Sequence, residues 1–175
     1  LLDLQTATFS RIEHSNGIVA VVYKVTLPTG EQFILKIAAN YQGYVREVYY
    51  LTYFAGKIPV PRIIQTVEPG TDVNGAILME YLPETVLTQA IFTDKLAYEI
   101  GSQLAHIHLN RTTGYGDLTA PQELSSNPLV HFTKKFEESL TECSNHLPQS
   151  LIEQCRTYYN THLKLFASVD GPCII

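Results

Sequence analysis

The amino-acid sequence predicts an α+β fold, a small antiparallel sheet followed by helices, and three observations predict it. Residues 19–37, VAVVYKVTLPTGEQFILKI, hold two runs of β-branched and aromatic residues around Leu27-Pro28-Thr29-Gly30-Glu31, a turn with proline early and glycine where positive φ is easiest. Residues 62–68 and 76–81 are two further strand-like runs, joined by a turn rich in Gly, Asp and Asn. From Thr93 onward the apolar residues recur at helical spacing instead, as Leu96, Ile100, Leu104 and Ile107. With a short strand at residues 7–13, this makes a sheet of five strands with one helix inserted after the third, and helices thereafter.

Composition bounds the function before any motif does. A chain of 175 residues with 45% hydrophobic and 17% charged residues can bury one core or two small lobes. Its net charge of −5, with acids and bases interspersed, lacks the basic stripe of a nucleic-acid binder. The three cysteines, Cys143, Cys155 and Cys173, have no C-x-x-C spacing and leave one over, which reads as thiols in a reducing compartment. No apolar run reaches the roughly 18 residues of a membrane span. The opening residues LLDLQTATFSR carry no basic segment followed by an apolar one, so the expected compartment is the cytoplasm.

The strand at residues 7–13 ends in His14-Ser15-Asn16-Gly17. A loop of that kind is either a plain turn or a source of backbone N–H groups for a phosphate. In the hairpin's second strand, the period of two puts Phe33, Leu35 and Ile37 on one face and Ile34 with Lys36 on the other. A lysine on a largely apolar face needs an anion. Residues 41–57 form a helix with an apolar stripe of Val48, Leu51 and Phe54 closed by Gly56. Glu47 flanks the stripe and is either solvated or, if the helix packs on the sheet, the partner of Lys36. Ile58-Pro59-Val60-Pro61 is a stiff connector.

Past Tyr81 a lobe boundary is expected at Leu82-Pro83-Glu84. The helix at residues 93–110 carries His106 and His108 two apart, on different faces, which suits a packed histidine better than a shared metal site. Gly114-Tyr115-Gly116-Asp117 reads as a loop, residues 129–143 and 151–167 as two more helices, and Tyr158, Tyr159 and Phe166 as packing between them.

These pieces, taken in order, resemble a known family. VVYKV, ILKI, a helix with Arg46-Glu47, IPVPRII, ILMEYL, GSQLAHIH and GYGDL look like the aminoglycoside phosphotransferase and choline kinase group, which has a protein-kinase-like fold. The resemblance implies a nucleotide-binding lobe at residues 1–81, then a linker and partial helical lobe at residues 82–175. It implies an ATP site in which Lys36 anchors the phosphates, Glu47 holds Lys36, Val22 and Ile34 lie against adenine, and the hinge Met79, Glu80, Tyr81 and Leu82 offers backbone groups to its edge. Asn16 and Gly17 match the loop over the phosphates, and His108 matches a histidine that supports the catalytic loop.

The implied activity is transfer of the γ-phosphate of ATP, with Mg²⁺, to a hydroxyl of an amino-sugar, amino alcohol or similar metabolite. In this group a strand like Pro172-Cys173-Ile174-Ile175 leads into an H-x-D loop, so the catalytic aspartate and the Mg²⁺ ligands are expected beyond Ile175. The 175-residue chain alone is then expected to be inactive. Asp117 and Asp170 lack that context and read as loop residues. A non-catalytic nucleotide-binding or interaction module is the alternative.

Overall fold

The computed structural model describes residues 4–13, 20–83 and 92–174. The expected hairpin forms as β2 (Ala20–Thr26) and β3 (Gln32–Ala38), and Gly30 takes the positive φ, +89°, that its turn requires. β1 (Thr8–Arg11) pairs with β2. Helix α1 (Tyr41–Phe54) follows, with the Asn40 side chain accepting a hydrogen bond from the Gly43 N–H at 2.7 Å. It stops short of Lys57 because Ala55 leaves helical space and Gly56 turns to φ +74°.

β4 (Ile63–Val67) and β5 (Ala76–Glu80) complete an antiparallel sheet in the order β1-β2-β3-β5-β4. β5 therefore lies between β3 and β4, paired on both sides, and Ala76, Ile77, Leu78 and Met79 are all buried. Residues opposite each other on antiparallel strands share a face. Val22 pairs with Lys36, Lys36 with Ile77, and Ile34 with Met79, so Lys36 stands among apolar neighbours as the alternation predicts. Helix α1 covers this face, with Tyr44, Ile77 and Met79 at the centre of the core and Ile34, Val48 and Leu51 packed around them.

The chain divides into two compact units, Leu1–Ile91 and Phe92–Ile175. In the second unit α2 (Asp94–His108) is capped by Thr93, whose hydroxyl accepts from the Leu96 N–H at 3.2 Å. None of its residues is buried, and Leu104 in the middle of the apolar stripe is 49% exposed. His108 is exposed too, contrary to the expected packed histidine, as is Leu104 one turn before it.

Helices α3 (Pro128–Cys143) and α4 (Gln149–His162) are joined by side chains: Phe136 stacks on Tyr159 at 3.9 Å between centroids, and the Thr133 and Tyr159 hydroxyls are 3.0 Å apart. Arg156 donates two bonds to the Glu137 carboxylate, at 2.8 and 3.3 Å. The helix expected over residues 151–167 is two pieces, α4 and a 3-10 segment, Leu163–Ser168. Tyr159 and Phe166 pack as expected, whereas Tyr158 is 69% exposed. Adjacent residues of a helix point about 100° apart, so one face cannot take both tyrosines.

The strand expected at residues 172–175 is, among the described residues, a single bridge. Cys173 pairs with Arg111, the Thr112 N–H donates to Pro172 at 3.1 Å, and the Ile174 N–H donates to Asn110 at 3.1 Å. Among the described residues no helix is long and apolar enough to cross a membrane.

Candidate functional site

Lys36 lies at mid-strand in β3, where its stem runs over the apolar face that α1 covers. Glu47, near the middle of α1, meets it: Nζ and Oε1 are 2.7 Å apart, in a charge-assisted hydrogen bond. The two side chains are 26% and 27% exposed. An ion pair still open to water contributes about 1 kcal/mol or less to stability. Its larger effect is positional, since it holds an ammonium group at one spot on the sheet with a side of it accessible.

The other sequence-derived positions of the first unit fall around this pair in different ways. Val22, directly across the β2–β3 ladder from Lys36, is half-buried. Ile34 and Met79 face each other across β3 and β5 and pack into the core under α1. The Glu80 carboxylate accepts the Arg62 N–H at 2.8 Å, so that side chain closes the β4–β5 edge. Tyr81 is half-buried and Leu82 is exposed. Asn16 and Gly17 lie outside the described residues.

Two residues of this face were not singled out from the sequence. Lys24 sits opposite Ile34, and its Nζ stands 4.4 Å from the centre of the Tyr81 ring, a cation–π contact on the segment that follows β5. The same alternation that put Lys36 beside Ile34 could have found it, since Val22, Lys24, Ile34 and Lys36 share one face. Tyr44, on α1 three residues before Glu47, is 2% exposed, and its hydroxyl donates to Glu68 Oε1 at 2.8 Å. Burial first, and the bond to Glu68 second, push its phenol above the ordinary tyrosine range.

Among the described residues no group of three or more His, Cys, Asp or Glu side chains is placed to hold a metal ion. Asp117 accepts bonds from the backbone and hydroxyl of Thr119 at 3.0 and 2.7 Å, a local turn. Asp170 pairs with Arg111 at 2.8 Å, which raises the affinity of that guanidinium for its proton.

A five-stranded antiparallel sheet crossed by one helix, with a lysine on its third strand held by a glutamate on that helix, defines a protein-kinase-like α+β protein. The chain belongs to the phosphotransferase enzyme family, the aminoglycoside phosphotransferase and choline kinase group, whose profile matches residues 11–155. No curated protein matches the chain. Its fold is similar to the streptomycin–ATP–APH(2″)-IIa ternary complex, with a TM-score of 0.57 and 16% identity over 95% of this chain and 57% of that one. It is also similar to Plasmodium vivax ethanolamine kinase, with a TM-score of 0.60 and 14% identity over 95% and 48% of the two chains. A macrolide 2′-phosphotransferase of type I follows at a TM-score of 0.53 and 10% identity, over 87% and 53%. The chain spans about half the length of these solved structures.

Proposed function

We propose that the chain provides the nucleotide-binding lobe and first helices of an ATP-dependent small-molecule kinase, one that moves the γ-phosphate to a hydroxyl of an amino-sugar, amino alcohol or similar metabolite. The observation that carries this reading is the half-buried Lys36–Glu47 pair on the helix-covered face of the sheet. Phosphoryl transfer asks the protein mainly to position the triphosphate and neutralise its charge, and a lysine held by a glutamate is one recurring way to do both. Membership of the phosphotransferase family supports it. In this reading residues 1–81 hold ATP and residues 82–175 are the linker and part of the helical lobe.

Each residue then has a task. Lys36 contacts phosphate oxygens, and Glu47 keeps its ammonium aimed. Val22 and Ile34 offer apolar surface to the base, Asn16 and Gly17 cover the phosphates, and the backbone of Met79, Glu80, Tyr81 and Leu82 reads the edge of the base. The carboxylate of Glu80 is occupied by Arg62 and takes no part. Mg²⁺, when bound, would supply positive charge to the triphosphate, and among the described residues no group of three or more His, Cys, Asp or Glu side chains is placed to hold it. The acceptor is a small molecule and not a nucleic acid, in keeping with the net charge of −5, and the compartment is the cytoplasm.

The test is binding of a fluorescent ATP analogue to the chain and to Lys36→Ala. Loss of a charged hydrogen-bond partner should weaken binding about tenfold or more. Equal affinity in the two proteins would remove Lys36 from the site.

A further inference from the structure

We propose that Tyr44 is a positioning residue for the Lys36–Glu47 pair, fixing the start of α1 against the β4–β5 turn so that Glu47 stands over Lys36; its bearing on catalysis rests on the ATP reading above. Four contacts converge at this corner. The Tyr44 hydroxyl donates to Glu68, just past the end of β4, at 2.8 Å. The Tyr44 ring lies against Gly75, where a Cβ would stand 2.5 Å from its Cγ and Cδ2. Asn74 Nδ2 donates to the carbonyl of Ala39 at 2.8 Å, and the Ala38 N–H donates to Gly75 at 3.0 Å, so the segment entering α1 is tied to the same turn.

The geometry of a helix carries the constraint onward. Glu47 follows Tyr44 by three residues, so the two side chains lie on neighbouring rows of one helix face, about 4.5 Å apart along the axis. A rotation or slide of α1 that moved Glu47 off Lys36 would also pull the Tyr44 hydroxyl off Glu68 and its ring off Gly75. Tyr44 is among the least exposed residues of the first unit. The Lys36–Glu47 pair is open to water and could not by itself hold the helix in register.

The test reads the amine of Lys36 directly and needs no nucleotide. Reductive methylation of lysines, followed by mass spectrometry, compares wild type with Tyr44→Phe, Glu68→Gln and Glu47→Gln, while exposed Lys95 and Lys135 serve as internal standards. Tyr44→Phe and Glu68→Gln should speed labelling of Lys36 several-fold, towards the rate in Glu47→Gln, with Lys95 and Lys135 unchanged. In the Glu47→Gln background, adding Tyr44→Phe should change the Lys36 rate no further, although a purely structural role would add its cost in both backgrounds.

Unchanged Lys36 labelling in both Tyr44→Phe and Glu68→Gln would overturn the proposal. If one variant fails to fold, the other carries the comparison. Analogue binding to the same proteins keeps the two readings apart. If Lys36→Ala leaves affinity unchanged the ATP site falls, while the labelling result still decides the role of Tyr44.

Discussion

At the scale of single residues, Lys36 was legible because strand alternation alone puts it on an apolar face, where a bare ammonium is costly. Glu47 was visible only as one of two choices, since its partner depends on how α1 meets the sheet. Tyr44 was not legible. It is one of five tyrosines within α1, Tyr41, Tyr44, Tyr49, Tyr50 and Tyr53, and nothing local separates it from the others until the backbone of Gly75 arrives beneath its ring. Glu47→Gln should weaken analogue binding less than Lys36→Ala does, because the cation survives, and it should cost about 1 kcal/mol or less in urea denaturation. A stability loss of several kcal/mol would mean that the pair is structural. Tyr44 also sets a pH dependence. Its folded-state pKa is raised above 10.0, so the stability it contributes is complete below that pH and is lost as pH rises through the folded value. Denaturation midpoints should fall as pH rises past 10.0 in wild type, and less steeply in Tyr44→Phe.

At the scale of elements, the five described strands and the four described α-helices fall where residue patterns put them, whereas the β3–β5 ladder and the departures in detail occur where packing or end geometry decides. The apolar stripe of α2 is clear in sequence, yet none of that helix is buried, since periodicity reports which face could pack and not what meets it. The break after His162 is a change from α to 3-10 winding, which periodicity over a window does not resolve. The β4–β5 turn supplies the sharpest substitution test. Gly75 has φ +102° and the Tyr44 ring against it, so Gly75→Ala is both strained and crowded and should cost about 2–4 kcal/mol by urea denaturation. A neutral result would mean that Tyr44 swings away freely. At the start of α1, Asn40→Ala removes the bond to the Gly43 N–H and should cost about 1 kcal/mol.

At the scale of the whole molecule, the two units have opposite sensitivities. In the helical unit Arg156 holds the Glu137 carboxyl below the usual carboxylate range, so that contribution is present above the unfolded value and lost as pH falls through the folded one. Acid should therefore weaken the α3–α4 contact, and alkali should weaken the seat of α1 on the sheet. Hydrogen exchange followed peptide by peptide would read both, and Glu137→Gln should flatten the acid response only. The order β1-β2-β3-β5-β4 has a consequence for how the molecule comes together in time. β1, β2 and β3 are neighbours both in sequence and in the sheet, so they can pair early. β5 must return across α1 and β4 to reach β3, closing a much longer loop. Variants at the corner where Tyr44 meets Gly75 should then speed unfolding while leaving the refolding rate nearly unchanged in stopped-flow traces, the result expected of a contact made late. A lysine made on an early hairpin would thus wait for its glutamate until the last strand is in place.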